Sequence, residues 1–143
     1  MILTTLILAN LIWIFYSLLE GVREGFYWHY ENMSKKECDF NINPVFNIQR
    51  TMVISMMGGV LVHITGWFSL LSILCMMLMF SFFHNGVYYY TRNKLSEGKY
   101  EKGWTDESIT FPSYFTFLLK YNKRMTAFVI GLVAQIFVYI FLL

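Results

Sequence analysis

Glu20, Arg23 and Glu24 stand three and four residues apart, so on a helix they share one face. Trp13, Tyr16, Tyr27 and Glu31 extend that stripe in both directions. A second stripe holds Met77, Ser81, His84, Tyr88 and Arg92, with Asn85 beside it. Two carboxylates one helical turn apart, joined by an imidazole from elsewhere, suit a divalent cation or a transition metal with open positions. Glu20, Glu24 and His84 are therefore the metal candidates, although no HxxxH, HxxH or ExxH spacing reinforces them. The same three residues are also the acid–base candidates. Arg23, Asn85, Arg92 and Arg124 are the substrate-binding candidates, because a planar guanidinium meets phosphate oxygens two at a time. Arg50 and the neighbours Lys120 and Lys123 add to that basic set. No nucleophilic serine or cysteine motif, glycine-rich phosphate loop or channel-filter sequence accompanies them.

The elements that must carry these residues are apolar. Of 143 residues, 57% are hydrophobic and only 14% charged, against about 25% charged in an average soluble domain. That composition argues against a disordered chain, and the long apolar runs argue against a soluble one. The expectation is a single all-α domain over 1–143, a polytopic integral membrane four-helix bundle with helices at about 2–31, 44–64, 67–91 and 113–143. A bilayer core of about 30 Å needs about 20 helical residues. The first run is apolar from Ile2 to Leu19 and passes straight into Glu20 and Arg23, without preceding Lys or Arg or a small-residue cleavage site, so it reads as a retained span. Asn43-Pro44 is a good start for the second helix. The link Thr65-Gly66 is so short that it forces an antiparallel hairpin.

Alternating spans put all eleven Lys and Arg on one side. The positive-inside rule makes that side cytoplasmic, with the N-terminus and the C-terminus both on the non-cytoplasmic side. The expected location is a bacterial inner membrane or an endomembrane. Aromatic clusters at Phe26 to Tyr30 and Tyr88 to Tyr90, with Trp67 opposite, fit the two interfaces. At about 1.5 Å per residue, Glu20 lies about 27 Å from Ile2, and His84 about 26 Å from Trp67. On the same rise Arg124 lies about 29 Å from Leu143, and Arg50 about 22 Å from Thr65. Four helices thus bring an acid, an imidazole and two guanidinium groups to one depth, the inner edge of the cytoplasmic leaflet.

A plainer reading has these charges snorkelling to water at helix ends. Convergence from separate helices favours a pocket instead. The expected function is a small membrane protein whose cytoplasmic-side polar pocket binds, or acts on, a lipid or lipid-linked phosphate. Composition and spacing leave open whether it is an enzyme. The rivals are a homo-oligomeric cation channel or carrier with Glu20 and Glu24 lining the path, and an accessory or phage-type membrane protein without a site. Membrane lipids are the expected partners, and a net charge of +2 gives no case for nucleic acid. Gly21 and Gly25, Gly58 and Gly59, and the Ala127, Gly131, Ala134 stripe fit close helix packing, within one bundle or between copies in a homo-oligomer. The cofactor is unknown, with a divalent cation admissible. A haem between His63 and His84 is opposed by about 31 Å of helix, and one between His29 and His84 has no supporting spacing. Cys38 and Cys75 lie at different depths and are not expected to bridge.

Overall fold

The computed structural model describes residues 1–34, 43–67, 69–100, 102–106 and 120–141, with side chains placed for all of these except 31–34, 43 and 44. Four helices account for most of them: α1 Ile2–Ser34, α2 Asn43–Thr65, α3 Ser69–Leu95 and α4 Tyr121–Phe141. Each is long and apolar enough to cross a membrane, and even α4, with 21 residues, spans about 31 Å. Lys35, Lys36 and Cys38 lie outside the described residues, as do Pro112, Ser113 and Leu143.

The burial pattern is that of a chain surrounded by lipid. On α1, Leu8, Leu11, Ile12, Phe15 and Leu19 face outward, while Asn10, Ser17, Glu20 and Glu24 are buried. Polar side chains turn inward because only other helices offer them partners, and apolar ones tolerate the hydrocarbon outside. The four described helices make the chain a multi-pass membrane protein built as a helical bundle.

Helix α3 is the axis of the bundle. A β-carbon at Gly21 would lie 3.2 Å from the Tyr88 amide nitrogen, and one at Gly25 would lie 2.8 Å from the Thr91 side chain. These glycines therefore let α1 sit directly on α3. A β-carbon at Gly131 would lie 2.9 Å from the Cys75 carbonyl, so α4 docks on α3 by the same device. Gly21, Gly25 and Gly131 are thus used in packing inside the chain, whereas Gly59 has open space around it. Helix α2 packs more sparsely, through Gly58 against Ile73 and Leu61 in the core formed by Leu6, Ala9, Trp13, Met76 and Val138.

Helix limits differ from the expected ones for local reasons. The turn before α3 takes in Gly66, whose φ is +76°, and Trp67. Ser69 opens α3, and its Oγ donates to the Gly66 carbonyl at 2.8 Å, tying the helix start to the turn. At the far end α3 runs to Leu95 and stops where Glu97 and Gly98 adopt φ of 52° and 84°. Helix α4 starts at Tyr121 after a bend at Lys120, and the expected start near 113 lies outside the described residues. Met77 is a further correction. It faces outward, while Met76 and Met79 are buried, and the remainder of its expected stripe, Ser81, His84, Tyr88 and Arg92, is buried as well.

Candidate functional site

The site lies where the end of α1, the start of α2 and the last turns of α3 meet. The matched depths of Glu20, Arg50 and His84 already required this neighbourhood, and the glycines at 21 and 25 bring α1 close enough to α3 to close it. Glu20 is 3% exposed and Glu24 9%, so neither carboxylate snorkels to the surface. Each finds its counter-charge inside the bundle. Arg23 Nη2 donates to Glu20 Oε1 at 2.6 Å, and Arg23 Nη1 donates to Gln49 Oε1 at 2.7 Å. Arg50 reaches across from α2, its Nε 3.4 Å from Glu20 Oε1 and its Nη2 donating to Glu24 Oε1.

His84 closes the network. Its Nε2 is 3.1 Å from Glu24 Oε2 and 3.0 Å from Arg50 Nη2. Its Nδ1 is 3.1 Å from Asn85 Oδ1, and Asn85 Nδ2 donates to Ser81 Oγ at 3.3 Å, which sets the orientation of the amide. Aromatic rings form the apolar floor. Phe80 stacks on His84 with centroids 5.0 Å apart, lies beneath the Arg50 guanidinium, and contacts Trp13 and Tyr16. The buried Tyr16 hydroxyl has no hydrogen-bond partner. Two carboxylates facing two guanidinium groups make this network charge-balanced while the imidazole is neutral.

Glu20, Arg23, Glu24, His84 and Asn85 are therefore brought together, and Arg50 with them. Arg92 and Arg124 are not. Arg92 is 8% exposed and Arg124 1%. Among the described residues neither has a carboxylate partner. Arg92 Nη1 donates to the Tyr88 hydroxyl at 3.1 Å, and its guanidinium lies 4.4 Å from the Tyr100 ring centre. Arg124 Nη2 donates to the Asp106 carbonyl, and its guanidinium faces Tyr89 and Tyr121, each at 5.9 Å. Tyr89 and Tyr100 stack on each other at 6.2 Å, so the two cations flank one tyrosine pair. The Nε of each is buried without a hydrogen-bond partner. Trp104 folds back onto α3 at Gly86 and packs against Phe82, which brings the 102–106 segment and the Asp106 carbonyl up to Arg124.

A third polar layer, near the opposite end, had no counterpart in the sequence reading. Asn10 Nδ2 donates to Ser72 Oγ at 3.3 Å, and Ser72 Oγ donates to Gln135 Oε1 at 2.9 Å. One hydrogen-bonded chain thus links α1, α3 and α4. The signal was present, since Asn10 and Gln135 each interrupt an otherwise apolar run, but neutral residues carry no charge with which to match depths.

The metal reading of Glu20, Glu24 and His84 finds no geometric support. Among the described residues no group of three or more His, Cys, Asp or Glu is disposed to hold a metal ion, because guanidinium nitrogens occupy the carboxylate oxygens that would face it. His63 is exposed, and His29 packs edge-on against Tyr30, away from the cluster. No protein-family profile, curated protein or solved structure matches the chain.

Proposed function

We propose that the Arg-rich end of this bundle binds the phosphate headgroup of an anionic lipid, with Arg92 and Arg124 as the cations that meet it. The observation that carries this reading is that both are buried and, among the described residues, neither forms a salt bridge with a carboxylate. A buried charge without a counter-ion costs several kcal/mol, and a tyrosine face returns about 0.5–2 kcal/mol of that. The Glu20–Arg23–Glu24–Arg50–His84 network is balanced and needs no anion, whereas the tyrosine-flanked pair does. A phosphate supplies the missing charge and enough oxygens for the free guanidinium N–H groups.

In this reading the basic end sits in the cytoplasmic leaflet, where anionic lipids concentrate, and both termini lie on the other side. The protein is a binder, and Glu24 and His84 belong to the separate ion network held by Arg50. A cation path along Glu20 and Glu24 is disfavoured, because both carboxylates are already held by arginine.

The test is thermal stability of the purified chain in detergent, with phosphatidylglycerol or phosphatidylcholine added. A lipid at one hundred times its Kd stabilises by about 2.7 kcal/mol. The anionic lipid is expected to raise the melting temperature and the zwitterionic one to leave it unchanged. Arg92→Gln and Arg124→Gln should each abolish that response. Equal stabilisation by both lipids, or an undiminished response in both variants, would overturn the reading.

A further inference from the structure

His84 Nε2 lies at hydrogen-bond distance from a permanent donor and a permanent acceptor at once. Arg50 Nη2 is 3.0 Å away and Glu24 Oε2 is 3.1 Å away. An imidazole nitrogen carries either a proton or a lone pair, so one of these contacts is favourable only at the expense of the other. The opposite nitrogen resolves which. Asn85 presents its carbonyl oxygen to Nδ1 at 3.1 Å, and this acceptor wants a proton on Nδ1 in every state. With His84 neutral, the lone pair is therefore on Nε2 and Arg50 donates to it. With a second proton, Nε2–H turns to Glu24, and Arg50 then faces a cation.

We infer that His84, Arg50 and Glu24 form a proton-operated clamp on α2. The charged and titratable groups around His84 are Tyr16, Glu20, Arg23 and Glu24 from α1, Arg50 from α2, and Tyr88 on α3 itself, whose ring stacks parallel to the imidazole at 6.5 Å. Among the described residues, α4 and the 102–106 segment bring no charged side chain to it. Among the described residues, Arg50 and Gln49 are the polar ties of α2 to the rest of the bundle. Between them and the Thr65 end, α2 shows a mostly exposed surface, including Met52, Met56, Gly59 and Val60. Proton uptake at His84 replaces one of the Arg50 contacts by repulsion between like charges, so the Arg50 end of α2 loosens from α1 and α3. The clamp is independent of the headgroup reading, which rests on Arg92 and Arg124.

Two measurements on the full chain in nanodiscs test it. The first is nitrogen NMR of histidine ring-labelled protein at about pH 8 and about pH 5, which bracket the histidine range. The chain has three histidines, so His29→Gln and His63→Gln assign the His84 signals by elimination. The neutral ring is expected to carry its proton on Nδ1 and the acid form on both nitrogens. A neutral ring protonated on Nε2 would overturn the clamp, as would one that stays neutral at the acid end. The second measurement is the distance between spin labels at Ile48→Cys on α2 and Tyr90→Cys on α3, both exposed, in a Cys38→Ser, Cys75→Ala background. A longer component should appear on acidification and be absent in His84→Gln. The same distribution at both pH values, or a longer component that persists in His84→Gln, would overturn the clamp. If His84→Gln does not fold, the NMR result on the native ring decides.

Discussion

Removing the charge of Glu24 should cost more than removing that of Glu20, although Glu20 is the deeper of the two along α1. Depth alone ranks Glu20 first, and the partners reverse the order. Glu20 Oε1 holds Arg23 at 2.6 Å, but the Arg23 side chain is 41% exposed and keeps its bond to Gln49. After Glu20→Gln, Arg23 turns to water, and that pair is worth only about 0–1 kcal/mol. Arg50 still has Glu24. After Glu24→Gln, the largely buried Arg50 keeps only the longer Nε contact to Glu20 as an ion pair, beside its contact with His84, and His84 loses its carboxylate. Breaking a buried pair costs about 3–5 kcal/mol, and the surviving contact places this one near the lower end. The expected losses are about 1 kcal/mol for Glu20→Gln and about 3 kcal/mol for Glu24→Gln. The gap of about 2 kcal/mol is roughly 30-fold in the unfolding constant. Reversible unfolding in mixed micelles of mild detergent and dodecyl sulfate reads it. A double-mutant cycle of Glu24→Gln with Arg50→Gln should give a coupling of about 1–3 kcal/mol. Equal losses at the two carboxylates, a larger one at Glu20, or no coupling would refute the assignment of partners.

Three further outcomes are expected. Gly21→Val and Gly25→Val force α1 off α3 and should each cost about 1–3 kcal/mol by overpacking, whereas Gly59→Ala, with open space around its β-carbon, should be neutral in the same unfolding assay. Ser72→Ala cuts the link between Asn10 and Gln135, and its loss in that assay should be about 0.6–1.7 kcal/mol, the range for polar contacts between membrane helices. A reporter active only in the cytoplasm, fused after Leu143, should be silent, and activity there would contradict the orientation that the Lys and Arg residues imply.

The spans were legible because lipid imposes a coarse rule, long apolar runs separated by polar loops or by a short turn such as Thr65-Gly66. The ion network was half legible. Rise per residue put Glu20, Arg50 and His84 at one depth, but depth does not say which helix face meets which, and Arg50 read as a phosphate ligand when it is the counter-ion of both carboxylates. Arg92 and Arg124 were grouped with the carboxylates for the same reason. Rotation about each helix axis, set by the glycine contacts of α1 and α4 with α3, separates them. Met77 illustrates the error at single-residue scale, since one residue is a turn of about 100°. The metal candidates find no geometric support, on a different ground. Two carboxylates and an imidazole look like ligands in a list of residues, and only the packed structure shows arginines already in the places a metal would take.

The most direct measurement is an experimental structure of the chain in nanodiscs containing an anionic phospholipid, at a resolution that shows what the guanidinium groups hold. Expected is phosphate density within hydrogen-bond distance of Arg92 or Arg124, with Glu20, Glu24, Arg50 and His84 bonded only to one another. A protein carboxylate on both arginines, or a metal ion between Glu20, Glu24 and His84, would contradict headgroup binding as the function of this end of the bundle.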